Sequence, residues 1–167
     1  MNAELKALLF ISAFLFVGCK MEYKTFTSSN SWFTLKLPPQ WEEYDDGEEG
    51  TYAFFNAGSW SGNFRITSLR WTRDNPTKED KAAKFIEEQM ASNNGATKIK
   101  IGKYTCAHYK KNISEDDEKL VVYYWATGIK DNLFICSFTV NKDQENIERN
   151  RDELQTVQKI IESLETK

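Results

Sequence analysis

The chain has 167 residues, 14% of them aromatic, and a formal net charge of −3. A mildly acidic chain lacks the concentrated basic face that nucleic acid demands, so composition argues against a nucleic-acid partner. Residues 19–167 suffice for one domain whose hydrophobic core needs no staples, and the aromatics fall in strand-like runs, as in a β-rich core.

Ala7 to Gly18 is an uncharged run of twelve small or apolar residues, preceded by Glu4 and Lys6. A membrane-spanning helix needs roughly 20 apolar residues. The run is too short for that and matches the apolar core of a secretory signal occupying residues 1–18. Val17-Gly18-Cys19 resembles the bacterial lipoprotein lipobox, with Phe16 where that pattern prefers leucine. The resemblance implies that Cys19 carries lipid, becomes the new N-terminus and tethers the protein in the bacterial cell envelope. Two or three acyl chains give stable attachment, at about 0.8 kcal/mol per buried CH₂. Two competing readings are a cytoplasmic protein translated from Met21 and a secreted form with a free Cys19.

Tyr23–Thr27 reads as a short strand and Ser28-Ser29-Asn30 as turn chemistry. In Trp32–Leu37, alternation places Phe33, Leu35 and Leu37 on one face, and Pro38-Pro39 ends the strand. Trp41 leads into an acidic stretch, Glu42 to Gly50. Strands resume at Thr51–Asn56 and Asn63–Trp71, joined by a glycine-bearing loop that contains Trp60. Asn75-Pro76-Thr77 reads as a helix start, with Thr77 and Asp80 in a capping-box arrangement. Ala82, Phe85, Ile86, Gln89 and Met90 follow at helical spacing up to Asn93-Asn94-Gly95. Strands are expected at Lys98–Lys111, Lys119–Thr127 and Leu133–Val140, with loops at Asn112–Glu118 and Gly128–Asn132. Asn141 is placed to cap a final helix whose buried stripe is Ile147, Leu154, Val157, Ile160, Ile161 and Leu164.

Short loops between successive strands imply antiparallel pairing. The strand around Val121–Trp125 is apolar on both faces, which calls for a layer on each side. The expected class is α+β, a mostly antiparallel sheet between two helical layers. Trp32-Phe33-Thr34-Leu35-Lys36-Leu37-Pro38-Pro39-Gln40-Trp41, together with the aromatic strand Leu133–Val140 and the closing Val157–Leu164 helix, resembles the PsbP-like domains. The resemblance covers about Tyr23 to Leu164. It implies an α/β/α sandwich and a binding or accessory role more than an enzymatic one, and carries over no functional residues.

The chemistry available is sparse. His108, the only histidine, shares a strand face with Cys106, but nothing signals an orienting group or an oxyanion hole. A structural zinc site wants four Cys or His ligands, more than remain beyond Cys19. No phosphate-cradling glycine loop or nucleophile elbow occurs. No catalytic residue, cofactor or metal is therefore expected. Cys106 and Cys136 fall in strands with another strand between them. In a meander they stand twice the spacing of about 4.8 Å apart, at or beyond the Cα limit of about 7 Å for a disulfide. Two buried thiols are expected.

Glu42, Glu43, Asp45, Asp46, Glu48 and Glu49 put six carboxylates into eight positions, and Glu115–Glu118 is a second acidic run. A solvated loop is the plain expectation; a docking surface for a basic partner and a weak cation site are the functional ones. Trp60 either folds back onto Phe64 and Trp71, which is the expected arrangement, or is offered to a partner. The function these readings favour is a non-catalytic envelope lipoprotein that binds or scaffolds a protein, with Glu42, Glu43, Asp45, Asp46 and Trp60 as possible contacts. The alternatives are a cytoplasmic acidic interaction or immunity-type inhibitor protein starting at Met21, and a small-molecule or cation binder.

Overall fold

A computed structural model describes residues 22–70 and 80–167. Strands β1 (Lys24–Thr27) and β2 (Phe33–Leu37) open the chain. They are followed by β3 (Trp41–Tyr44), β4 (Thr51–Asn56) and β5 (Gly62–Arg70), then helix α1 (Lys81–Ser92). The second half holds β6 (Thr97–Ile101), β7 (Tyr104–Glu115), β8 (Glu118–Ile129), β9 (Asn132–Asn141), a 3-10 turn (Lys142–Gln144), α2 (Glu148–Glu162) and β10 (Glu165–Thr166). β1, β2 and β10 form a small sheet. The other strands form a seven-stranded sheet in the order β3-β4-β5-β9-β8-β7-β6, and every described pairing is antiparallel.

The alternation in β2 does what its pattern predicts: Phe33, Leu35 and Leu37 are buried. Pro38 ends the strand, and the Trp41 amide donates to the Pro38 carbonyl at 3.0 Å, turning the chain from the small sheet into the large one. One face of the large sheet supplies Phe54, Phe64, Ile66, Trp125, Cys136 and Phe138 to a core closed by β2 and by Val157, Ile160, Ile161 and Leu164 near the chain end. Ile86 of α1 packs instead on Ala107 and Ala126. These alternate with core residues Cys106 and Trp125, so α1 lies on the opposite face from α2.

The two helical layers are unequal. A twelve-residue helix is only about 18 Å long, and α1 packs mainly against β7, β8 and β9. Its seat is built from small residues: Ala107 and Ala126 are cross-strand partners, and a Cβ on Gly128 would lie 3.1 Å from that of Ala82. Elsewhere the second face bears Arg65, Tyr124 and Thr139, and no described helix covers them. The protein is a mostly antiparallel sheet with two helices, as expected.

Several elements depart from expectation. Part of the acidic stretch is β3, held by pairing with β4 rather than by its own hydrophobicity. The expected strand Lys98–Lys111 is a hairpin, turning at Gly102 and Lys103, with Gly102 in the left-handed region at φ 54°. The expected loop Asn112–Glu118 is strand almost to its tip. Asp116 and Asp117 (φ 48° and 67°) make a two-residue primed turn, a conformation aspartate tolerates and one that matches strand twist. Asp80 itself caps α1 by accepting from the Ala83 amide at 3.1 Å; Thr77 lies outside the described residues. Asn141 caps the 3-10 turn instead of α2, and Ile147 is exposed rather than part of the buried stripe. Cys106 and Cys136 are buried free thiols with β8 between their strands, as the meander argument requires.

Candidate functional site

The part of the second sheet face that no described helix covers is the candidate site. Each strand contributes alternate residues: Phe55 from β4, Asn63 and Arg65 from β5, Ser137 and Thr139 from β9, Leu120, Val122 and Tyr124 from β8, and Lys111 and Ile113 from β7. All of these but Phe55 and Lys111 floor an open groove of about 390 Å³ whose two sides are Trp60 and the Glu115–Glu118 hairpin end.

Trp60 is 69% exposed, correcting the expectation that it folds back. Phe64 cannot receive it, because alternation sends Phe64 into the core on the other face; Trp71 lies outside the described residues. The indole rests against Phe55, ring centroids 5.0 Å apart, and Phe55 continues to Tyr44 at 5.8 Å. The loop beneath is tied down. Asn56 donates to Glu153 Oε1 at 2.9 Å, Ser59 donates to the same oxygen at 3.1 Å, and Ser61 donates to Oε2. A buried carboxylate of α2 thus clamps the residues on both sides of Trp60. The tip is pre-positioned without being covered, which lowers the entropy lost when it binds.

This sheet face combines aromatic and cationic groups. Arg65 Nε lies 3.1 Å from Asp46 Oδ2. Burial works against the Arg65 charge, but the Tyr44 hydroxyl, Asp46 and Glu48 outweigh it and raise its pKa. Tyr109 and Tyr124 stack at 4.9 Å, and the Lys111 ammonium sits 5.4 Å and 5.7 Å from the two ring centroids, within cation–π range. Tyr109 donates to Gln89 Oε1 of α1 at 3.1 Å, joining the groove to the covered end. Burial pushes both tyrosines' pKa up, so at neutral pH their hydroxyls stay protonated.

The structure divides the acidic residues. Glu42 is the direct cross-strand partner of Phe55, which carries Trp60, so Glu42 and Trp60 share one neighbourhood. Glu43 alternates to the other face. Asp45 and Asp46 accept from the Gly47 and Glu48 amides at 2.9 Å and 3.1 Å, shaping the turn, and Asp46 also holds Arg65. Asp46 is therefore a structural residue. Cys19 lies outside the described residues. Arg65, Tyr109, Lys111 and Tyr124 were not singled out from the sequence. Their signal was the polar half of Asn63-Phe64-Arg65-Ile66-Thr67, which marks a strand with one open face.

Elsewhere, reactive groups are confined. His108 is half-buried, stacked on Trp125 at 5.1 Å, with Nδ1 2.9 Å from the Tyr124 carbonyl. Burial raises both cysteine pKa values, most strongly for Cys136, keeping the sulfurs as thiols. Among the described residues, no three His, Cys, Asp or Glu side chains are grouped to hold a metal ion. No helix among them is long and apolar enough to cross a membrane.

A family model described as "Domain of unknown function (DUF3805)" matches residues 21–167. No curated protein matches the chain. Among solved structures, a protein of Bacteroides thetaiotaomicron VPI-5482 superposes with a TM-score of 0.71 at 30% identity, over 86% of this chain and 48% of its own. The chain thus spans about half the length of that protein. The Saccharomyces cerevisiae Ran-binding protein Mog1p matches with a TM-score of 0.55 at 11% identity, over 87% of this chain and 96% of its own. Cyanobacterial PsbP (CyanoP) of Synechocystis sp. PCC 6803 gives 0.44 at 10% identity, over 88% and 94%, a score too low to carry an argument. The likeness to Mog1p shows a shared fold.

Proposed function

The chain belongs, through residues 21–167, to the DUF3805 family, and from that premise we propose that it is a non-catalytic protein-binding module of the bacterial cell envelope. The observation that carries the reading is the exposed Trp60, held in place by the Glu153 clamp at the side of an uncovered sheet face. A pre-positioned, exposed tryptophan on one groove with an arginine and a tyrosine has the composition of an interface hot spot. Mog1p, which shares the fold, is a Ran-binding protein by name, and the reading carries to this chain only the general idea of a protein partner.

Carboxylates stand on both sides of the groove: Glu42 beside Phe55, and Glu115 and Glu118 at the hairpin end. Arg65 is already neutralised by Asp46. That field favours a basic partner, and steering between opposite charges would make its capture salt-sensitive. Affinity capture from the native host, with wild-type and Trp60→Ala proteins side by side, tests the site. The variant is expected to retain its fold and recover the same partner at least roughly tenfold less well. Equal recovery by both overturns the groove as the docking face.

The tether belongs to the same proposal. Lipid on Cys19 would hold the module at the membrane and raise the local concentration of any partner confined there. Cys19→Ser is expected to release the protein from the membrane fraction into the soluble one. A variant that stays with the membrane overturns lipid anchoring at Cys19 and leaves the groove reading untouched.

A further inference from the structure

Strand β7 outruns its neighbour. β6 pairs with β7 only from Tyr104 to His108, whereas β8 pairs with it out to Glu115. Among the described residues, the outer edge of β7 from Lys110 to Glu115 has no strand beside it. In a hairpin closed by two turn residues, the pair flanking the turn exchanges both backbone hydrogen bonds, and such pairs recur at every second residue. Glu115, Ile113 and Lys111 therefore turn their backbone groups toward β8. Ser114, Asn112 and Lys110 turn theirs outward, an open ladder of the kind that accepts another strand.

The side chains narrow down which strand. Lys111, Ile113 and Glu115 lie on the groove face in the order cation, apolar, anion, and Ile113 is 38% exposed. Lys110 is engaged on the other face, its ammonium 2.9 Å from Glu145 Oε1. The order is self-complementary under a two-fold axis perpendicular to the sheet. With the axis at Ile113, the two isoleucines meet in a closely spaced pair. Each Lys111 faces the second copy's Glu115, and the outward groups of Asn112 face those of Ser114. An axis at Asn112 places Lys111 against isoleucine and leaves Glu115 opposite Tyr109. An axis at Lys111 opposes two lysines. Only the Ile113 register pairs the charges, keeps both groove faces on one side and joins outward backbone groups to outward ones.

We propose that the chain associates with a second copy of itself by antiparallel β7–β7 pairing centred on Ile113. The two seven-stranded sheets then become one, and the two grooves lie on a single continuous face. The inference rests on the open edge and its charge order, and does not depend on the identity of any partner bound in the groove. A contact of about six residues per strand falls among small, transient interfaces, so the association is read at up to about 200 µM protein.

Sedimentation equilibrium of the full chain tests the register by charge exchange. Lys111→Glu alone, or Glu115→Lys alone, opposes like charges across the axis and is expected to weaken the dimer roughly tenfold. Mixing the two single variants restores complementary pairs and should give a heterodimer close to wild-type strength, as should the double exchange. Recovery on mixing cannot come from a misfolded variant. A chain that stays monomeric throughout the concentration range overturns the proposal. So does a dimer indifferent to the single exchanges, or one that mixing fails to restore.

Discussion

Replacing Trp125 by alanine is expected to lower the unfolding free energy by about 3–5 kcal/mol, as for the largest core truncations. The side chain is fully buried on β8, between the core and His108, whose ring stacks on it at 5.1 Å and 20°. Truncation removes the transfer energy of the indole and leaves a cavity that two flanking strands cannot close without breaking their ladder. Trp125→Phe separates size from polarity. The indole Nε1 is buried and makes no hydrogen bond to any described protein atom, so phenylalanine keeps most of the packing and discards a donor that contributes nothing. Its cost should be about 1–2 kcal/mol. Urea denaturation of the three proteins checks both values. Equal losses for alanine and phenylalanine would mean that the indole nitrogen has a partner and that volume is not what matters.

The second large effect concerns Glu145, which joins the 3-10 turn to β7 and β8. Its carboxylate accepts from Lys142 at 2.7 Å, from Lys110 at 2.9 Å and from the Tyr123 hydroxyl at 2.8 Å. The Lys142 and Lys110 hydrogen bonds, against the opposing effect of burial and with help from Tyr123, hold its pKa at about 2, below the ordinary 4.5. A carboxyl held below its unfolded value stabilises the fold above pH 4.5, and that stability is lost as pH falls from 4.5 toward 2. The shift alone would amount to about 3 kcal/mol. Lys110 and Lys142 are 54% and 39% exposed, so solvent screening reduces the expectation to about 1–2 kcal/mol. Glu145→Gln should therefore be less stable than wild type at pH 7, with the two converging by about pH 2. Parallel stability curves across that range would show that the carboxylate charge plays no part.

Most strands were legible because their burial is one-sided or complete, and period-2 alternation records that directly. Phe33, Leu35 and Leu37, and Phe134, Cys136, Phe138 and Val140, are examples. Where the pattern misled, backbone partners made the decision. Glu42 and Glu43 sit in a strand because β4 offers them a ladder, on an edge that tolerates charge. In Lys98–Lys111 the apolar positions shift phase across Gly102-Lys103, from Ile99 and Ile101 to Tyr104 and Cys106, and the left-handed Gly102 is where the chain doubles back.

The groove was harder to read. Tyr124 lies in a strand apolar on both faces, which promised a helix over each. α1 is only twelve residues long, and it settles where Ala107, Ala126 and Gly128 let it approach, leaving the bulkier end of the same face with no described helix over it. Trp60 stood out as an aromatic in a glycine-bearing loop. Its exposure depends on Glu153, 94 positions from Ser59 along the chain, and on the face that Phe55 happens to occupy.

By itself, the order of apolar and polar residues determined the strand-rich class, both helices, the buried stripe at the chain end and the separation of the two cysteines. These follow from local periodicity and chain stiffness. Only the tertiary structure decided which face stays open, which acidic residues are already engaged and where the outer edge of β7 has no described strand beside it. Those depend on contacts between segments distant in the chain, and a pattern of near neighbours carries no record of them.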